Sequence, residues 1–161
     1  MKTIGISMVG SGFMGKLHTL SIGSYPIYYY PSDVQPRLEC IVGHTSQAAQ
    51  EGMKQFGFRR AATDWRTLLT DEKTDVIVIA TPNDLHRQIA IEAIRAGKHV
   101  FCEKPLGLNA QEAYEMYKEA ERMGVVAACG HNNRALAAVR VNLFADHEGC
   151  ARLEVCLRCA V

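Results

Sequence analysis

The chain has 161 residues, of which 48% are hydrophobic and 22% charged, and a formal net charge of +1. That is an ordinary globular composition, long enough to bury a core, and without a basic or acidic block it gives no electrostatic case for nucleic acid or an anionic membrane. Its longest apolar runs are about six residues, against the roughly 20 that a membrane-spanning helix needs. The opening Met1-Lys2-Thr3 has no signal-peptide architecture, so a cytoplasmic location is expected.

Residues 4–9 form the first apolar run and read as a strand. Directly behind them stands Gly10-Ser11-Gly12-Phe13-Met14-Gly15, where the strand must turn sharply into a helix over 12–22. Gly10 permits the tight turn, Gly12 lets the backbone approach a pyrophosphate, and Gly15 allows the helix to pack on the strand. The helix dipole adds about 1 kcal/mol of attraction for an anion. A dinucleotide coenzyme is the first hypothesis; the plain alternative is a glycine turn needed only for packing. Residues 25–36, with Pro26, Pro31 and Pro36, read as irregular. They are expected to form a surface loop whose tyrosines pack over the sheet edge, or else a loop near the cofactor or a partner subunit.

A second strand is expected over 38–42, running into Val42-Gly43-His44-Thr45-Ser46. An NAD site usually has a carboxylate here to hold the ribose hydroxyls. None is present, and Glu39 stands at the beginning of the expected strand. The absence removes the repulsion that would exclude a 2′-phosphate, and His44, Thr45 and Ser46 could bond one, so NADP is favoured over NAD. Ser46 has the equal alternative of capping a helix over 46–56, which Gly57 stops.

Residues 75–80 are a continuous β-branched run, the pattern of a strand covered on both faces. Thr81-Pro82-Asn83-Asp84-Leu85-His86 follows, with a helix over 83–96 ending at Gly97. Residues 99–102 are the next strand, leading into Glu103-Lys104-Pro105-Leu106. Asn109 with Glu112 resembles a capping box, and its helix stops at Gly124. A strand over 125–129, a helix over 135–146 and an extended segment over 153–161 complete the pattern. The alternation implies parallel strands joined by right-handed helical crossovers, hence a doubly wound α/β parallel sheet.

In such sheets ligands bind beyond the carboxyl ends of the strands. Lys104 stands there, held extended by the proline after it. It is positioned to hydrogen-bond a substrate hydroxyl or carbonyl, with Glu103 orienting it; the alternative is a solvated surface charge. Of the six histidines, His86 and His131 fall by this edge and the others read as ordinary polar residues. Cys40, Cys102 and Cys129 read as reduced thiols packed as small apolar side chains. His147, Cys150, Cys156 and Cys159 could be metal ligands, but in a strand Cys156 and Cys159 point to opposite faces, so no metal is expected.

Taken together, residues 10–16, Ala80-Thr81-Pro82-Asn83 with His86, Ala96-Gly97-Lys98-His99-Val100 and Cys102-Glu103-Lys104-Pro105-Leu106 resemble the glucose–fructose oxidoreductase/inositol dehydrogenase/MocA family. The resemblance covers about residues 3–134 and implies a Rossmann domain followed by a larger α/β substrate domain. It implies NAD(P)-dependent hydride transfer on a sugar, cyclitol or related polyol. Lys104 is then the catalytic lysine. Thr81, Pro82, Asn83 and His86 line the cofactor, as do His131 and Asn132 of Gly130-His131-Asn132-Asn133-Arg134, where Asn133 replaces the family's usual tyrosine. Residues 1–134 are expected to be the coenzyme domain, and 135–161 a linking helix and first strand of a substrate domain that is missing or truncated. The piece alone would then be inactive. The final strand would leave an unpaired edge, so a homo-oligomer is expected. The second function class is a non-catalytic NAD(P)-binding or regulatory module, which would have no need of Lys104.

Overall fold

The computed structural model describes residues 1–131. Asn132, the expected helix over 135–146, the expected strand over 153–161 and the group His147, Cys150, Cys156 and Cys159 lie outside the described residues. Among those described, the strands are β1 (Lys2–Val9), β2 (Val34–Val42), β3 (Arg60–Ala62), β4 (Val76–Ile79), β5 (His99–Cys102) and β6 (Ala127–Cys129). The α-helices are α1 (Phe13–Tyr28), α2 (Ser46–Phe56), α3 (His86–Arg95) and α4 (Ala110–Met123). The sheet order is β3-β2-β1-β4-β5-β6 and every pairing is parallel. This is the expected doubly wound Rossmann-like sheet.

Successive strand residues serve opposite layers, which is why the strand sequences are apolar throughout rather than alternating. Val9, Ile77, Ile79, Val100 and Cys102 pack under Ile89 and Ile94 of α3 and Met116 and Ala120 of α4. Met8, Ile41 and Val78 face the other way, against Ile22 of α1 and Met53 and Phe56 of α2. The three cysteines within the described residues lie in β2, β5 and β6. Burial pushes the Cys40 and Cys102 thiols up, so both behave as apolar side chains. No helix among the described residues is long and apolar enough to cross a membrane.

The stretch over 25–36 is corrected. α1 continues through Pro26 to Tyr28, and β2 begins at Val34 and runs through Pro36. Pro26 sits in the last turn, where one missing amide bond is tolerated and the Tyr29 amide still donates to the Tyr25 carbonyl at 3.0 Å. β3 reaches β2 only at Cys40–Val42, so Pro36 stands where β2 is an edge and a missing N–H disrupts no ladder. Tyr28, Tyr29 and Tyr30 are exposed rather than packed over the sheet. They lie a full helix length, about 24 Å, from the glycine turn.

Smaller differences have local causes. The α2 N-cap is Thr45, whose hydroxyl accepts from the Ala48 amide, so Ser46 is the first helical residue. The expected helix over 83–96 opens as a 3₁₀ turn at Asn83–Leu85 before α3 begins. β3 escaped the sequence reading because Arg-Ala-Ala carries little strand preference, and its pairing with β2 supplies the conformation. Asn109 does cap α4, while Glu112 reaches back to the Leu108 amide at 2.8 Å. Glu39 is not at a strand beginning. It sits within the longer β2, where the register slips opposite Ser7, buried and paired with Arg37.

β1 and the segment entering β4 touch backbone to backbone at Gly5. A Cβ there would lie 1.8 Å from the Lys73 carbonyl oxygen. Neither backbone can retreat, because Gly5 and Asp75 exchange bonds of 2.7 and 2.8 Å. Gly5→Ala is therefore expected to lower the urea-unfolding free energy by about 3 kcal/mol, the upper end of overpacking penalties.

Candidate coenzyme-binding site at the carboxyl edge

The chain leaves β1 outward to β2 and β3, then returns to β4 on β1's other side. The loops after β1 and β4 therefore open side by side, the switch point where doubly wound sheets bind ligands. The Gly10 amide donates to the Val42 carbonyl at 2.9 Å, and the Ala80 amide to the Val9 carbonyl at 2.9 Å. Gly10 has a φ of +109°, and a Cβ on it would meet the Ala80 carbonyl oxygen at 2.4 Å. Only glycine satisfies both constraints. A Cβ on Gly15 would lie 2.5 Å from the Gly10 carbonyl oxygen, so helix and turn are in contact.

Gly12 differs from both. A Cβ on it meets nothing within 4 Å. Gly12 is the N-cap of α1, with no side-chain cap and no acidic residue in the first turn. The turn is thus packed on its protein side and open at Gly12, with the leading amides of α1 unclaimed by any cap. Thr81 lies against Gly10 of the same turn, and its hydroxyl is buried with no partner among the described residues. Such an atom needs a ligand or water, and a phosphate or ribose oxygen suits it. The uncapped helix, the open cradle and the orphaned hydroxyl fit a dinucleotide.

Ser11, Phe13 and Met14 fall on the same turn, with Phe13 exposed. His44, Thr45 and Ser46 are exposed just past β2, beside the turn by virtue of the Gly10–Val42 bond. Pro82 and Asn83 lead the 3₁₀ turn beyond Thr81. His86 is buried, and both its ring nitrogens are taken up by backbone carbonyls, those of Thr81 and Pro105.

The Lys104–Pro105 bond is cis, and Lys104 is exposed. Glu103 is buried, its amide donating to the Ile79 carbonyl at 2.9 Å. Its carboxylate takes the Lys104 amide at 3.0 Å and the His18 Nε2 at 2.7 Å. Gly130 lies against it, since a Cβ there would come 2.9 Å from Oε1. Glu103 thus holds the backbone of the lysine that follows it, and His131 emerges alongside through Gly130. His18 is the residue that sequence reasoning passed over. Its ring also meets the Phe101 ring edge-on at 5.0 Å. No motif marks it, because only tertiary packing brings the second turn of α1 over the end of β5. Among the described residues no group of three His, Cys, Asp or Glu could hold a metal ion. An open groove of about 680 Å³ between α3 and α4 is lined by Arg87, Arg95, Glu115, Glu119 and Arg122, which pair with one another.

Residues 4–131 match the family model described as "Oxidoreductase family, NAD-binding Rossmann fold". The chain belongs to the glucose–fructose oxidoreductase/inositol dehydrogenase/MocA family. It is 37% identical over 139 residues to a levoglucosan dehydrogenase of Pseudarthrobacter phenanthrenivorans, covering 86% of this chain and 36% of that protein. It is 38% identical over 112 residues to a 1,5-anhydro-D-fructose reductase of Ensifer adhaerens, covering 68% of this chain and 34% of the relative. Among solved structures, levoglucosan dehydrogenase in complex with NADH and L-sorbose superposes with a TM-score of 0.82 at 37% identity, over 86% of this chain and 37% of that one. The chain therefore spans a little over a third of the length of these family members. Its residues 4–131 are the family's NAD-binding Rossmann fold.

The His18–Glu103 pair ties α1 to the lysine loop of this family member. His18→Ala would leave a buried carboxylate without its side-chain partner, and is expected to cost about 1–3 kcal/mol in urea unfolding. Adding Glu103→Gln is expected to return part of that loss, because the buried group is then neutral; a double-mutant cycle reads the coupling.

Proposed function

We propose that this chain is the coenzyme-binding part of an NAD(P)-dependent oxidoreductase that moves a hydride between nicotinamide and a carbinol carbon of a sugar, cyclitol or related polyol. The observation that carries the reading is the pairing of an open glycine cradle at Gly12 with the orphaned Thr81 hydroxyl, one strand away from Lys104. The family and the sugar-related names of its relatives support the substrate class. When bound, the nicotinamide supplies the hydride acceptor or donor.

The chain's own residues supply placement and charge stabilisation. The amides following Gly12 and the Thr81 hydroxyl hold the phosphates and ribose. Lys104, with its backbone fixed by Glu103, presents its ammonium at the strand end. There it donates a hydrogen bond to the reacting oxygen, stabilising the negative charge that develops as the hydroxyl proton passes to a general base. Lys104→Ala in the full-length protein is expected to lower kcat by about 10²–10⁴-fold with coenzyme affinity kept, the usual range for a group that assists proton transfer. Undiminished turnover would remove the assignment.

The cradle allows a sharper separation. Gly12→Ala is expected to change folding stability by less than about 0.5 kcal/mol, since the new methyl meets no protein atom. In the same variant it occupies the pyrophosphate's approach and is expected to weaken coenzyme binding by about tenfold or more. Titration with NADH and NADPH reads both this effect and the coenzyme preference. NADPH is favoured on the lack of a carboxylate over residues 43–46 and on the Thr45 hydroxyl. That hydroxyl accepts from Ala48 and so keeps its own hydrogen free for a 2′-phosphate.

A further inference from the structure

His86 opens α3, is 1% exposed, and holds two acceptors. Its Nε2 lies 2.9 Å from the Thr81 carbonyl oxygen and its Nδ1 lies 2.9 Å from the Pro105 carbonyl oxygen. A carbonyl oxygen only accepts, so each contact requires a hydrogen on the ring nitrogen that faces it. A neutral imidazole has one such hydrogen. In either neutral tautomer one carbonyl would face a nitrogen lone pair, leaving two polar groups unsatisfied and in repulsion.

We infer that His86 carries hydrogen on both ring nitrogens, and that this buried cation is a positioning residue bracing the Thr81 loop against the Pro105 loop. The inference rests on the proposed roles of Thr81 and Lys104, which those two loops present. The brace spans one imidazole ring, so it sets the separation between the coenzyme side and the lysine side of the edge. It binds the Thr81 carbonyl and leaves the Thr81 hydroxyl, which has no partner among the described residues, unengaged. It also places a positive charge beneath loops that are to receive an anionic coenzyme.

Among the described residues no carboxylate bonds the His86 ring. Asp84, on the 3₁₀ turn before His86, is exposed. Glu103, at the end of β5, is engaged by His18 and the Lys104 amide, and Glu115 of α4 by Arg87. Arg87 follows His86 in sequence and Lys104 precedes Pro105, and both are exposed. The positive end of the α3 dipole also disfavours a cation at its first residue. Two charge-assisted bonds to carbonyls, each stronger than a neutral one, are what offset these costs.

The test is nuclear magnetic resonance of the full-length protein with ring-¹⁵N histidine at pH 7, the His86 ring being assigned by its Overhauser contacts to Thr81 and Pro105. Both nitrogens are expected to show directly bonded hydrogens; a lone-pair nitrogen in that ring overturns the inference. His86→Gln, neutral and able to reach one carbonyl, is expected to raise the NADPH dissociation constant about tenfold. Wild-type affinity in that variant overturns the positioning role. A wild-type protein that binds neither NADH nor NADPH would instead sink the proposed function and with it the role of the brace, while the protonation of the ring would still be read from the spectrum.

Discussion

The structure depends on β1 and β4 lying side by side with almost no space between their backbones. Contact is closest at both ends of the pair: Gly5 against the Lys73 carbonyl below, Gly10 against the Ala80 carbonyl above. The upper contact sets the first glycine turn directly against Thr81, so the proposed anion site at α1 borders the β4 loop. A side chain at either glycine would push the strands apart, and the crevice at the switch point would lose its shape. Packing density at this seam therefore governs both the stability of the sheet and the geometry of the site.

Around that seam, buried polar groups hold backbone and one another. Glu103 grips the Lys104 amide, His18 grips Glu103, and His86 grips the carbonyls of Thr81 and Pro105. Each such group is expensive to bury unless its partner is held, so the loops can adopt few other arrangements. Lys104 itself stays exposed, as its proposed role at a substrate requires. A flexible side chain on a rigid pedestal reconciles precise placement with access.

The reading of the chain succeeded where local pattern and packing demand coincide. β4 and β5 were legible because strands buried on both faces must be apolar throughout, and Asn109 was legible as a cap because its side chain answers a purely local need. It failed where neighbours override preference. Pro36 lies in a strand because, among the described strands, β2 has no partner on that side at that point. Pro26 lies in a helix because only the final turn was at stake. Arg60–Ala62 is a strand because the end of β2 offers a ladder. Thr45 rather than Ser46 caps α2, a shift of one residue that turns on backbone angles no composition rule resolves.

The sequence by itself determined the fold class, the glycine turn, the loops carrying Thr81 and Lys104, and the family, because those features are written in residues adjacent along the chain. Only the tertiary structure decided that His18, 85 positions from Glu103, bonds it, and that His86 serves two loops at once. It alone decided that the Thr81 hydroxyl has no partner among the described residues. The physical reason is that hydrogen bonding between distant segments depends on which helix crosses which strand end. That crossing is set by the burial of apolar faces across the whole sheet, not by any residue's own preference.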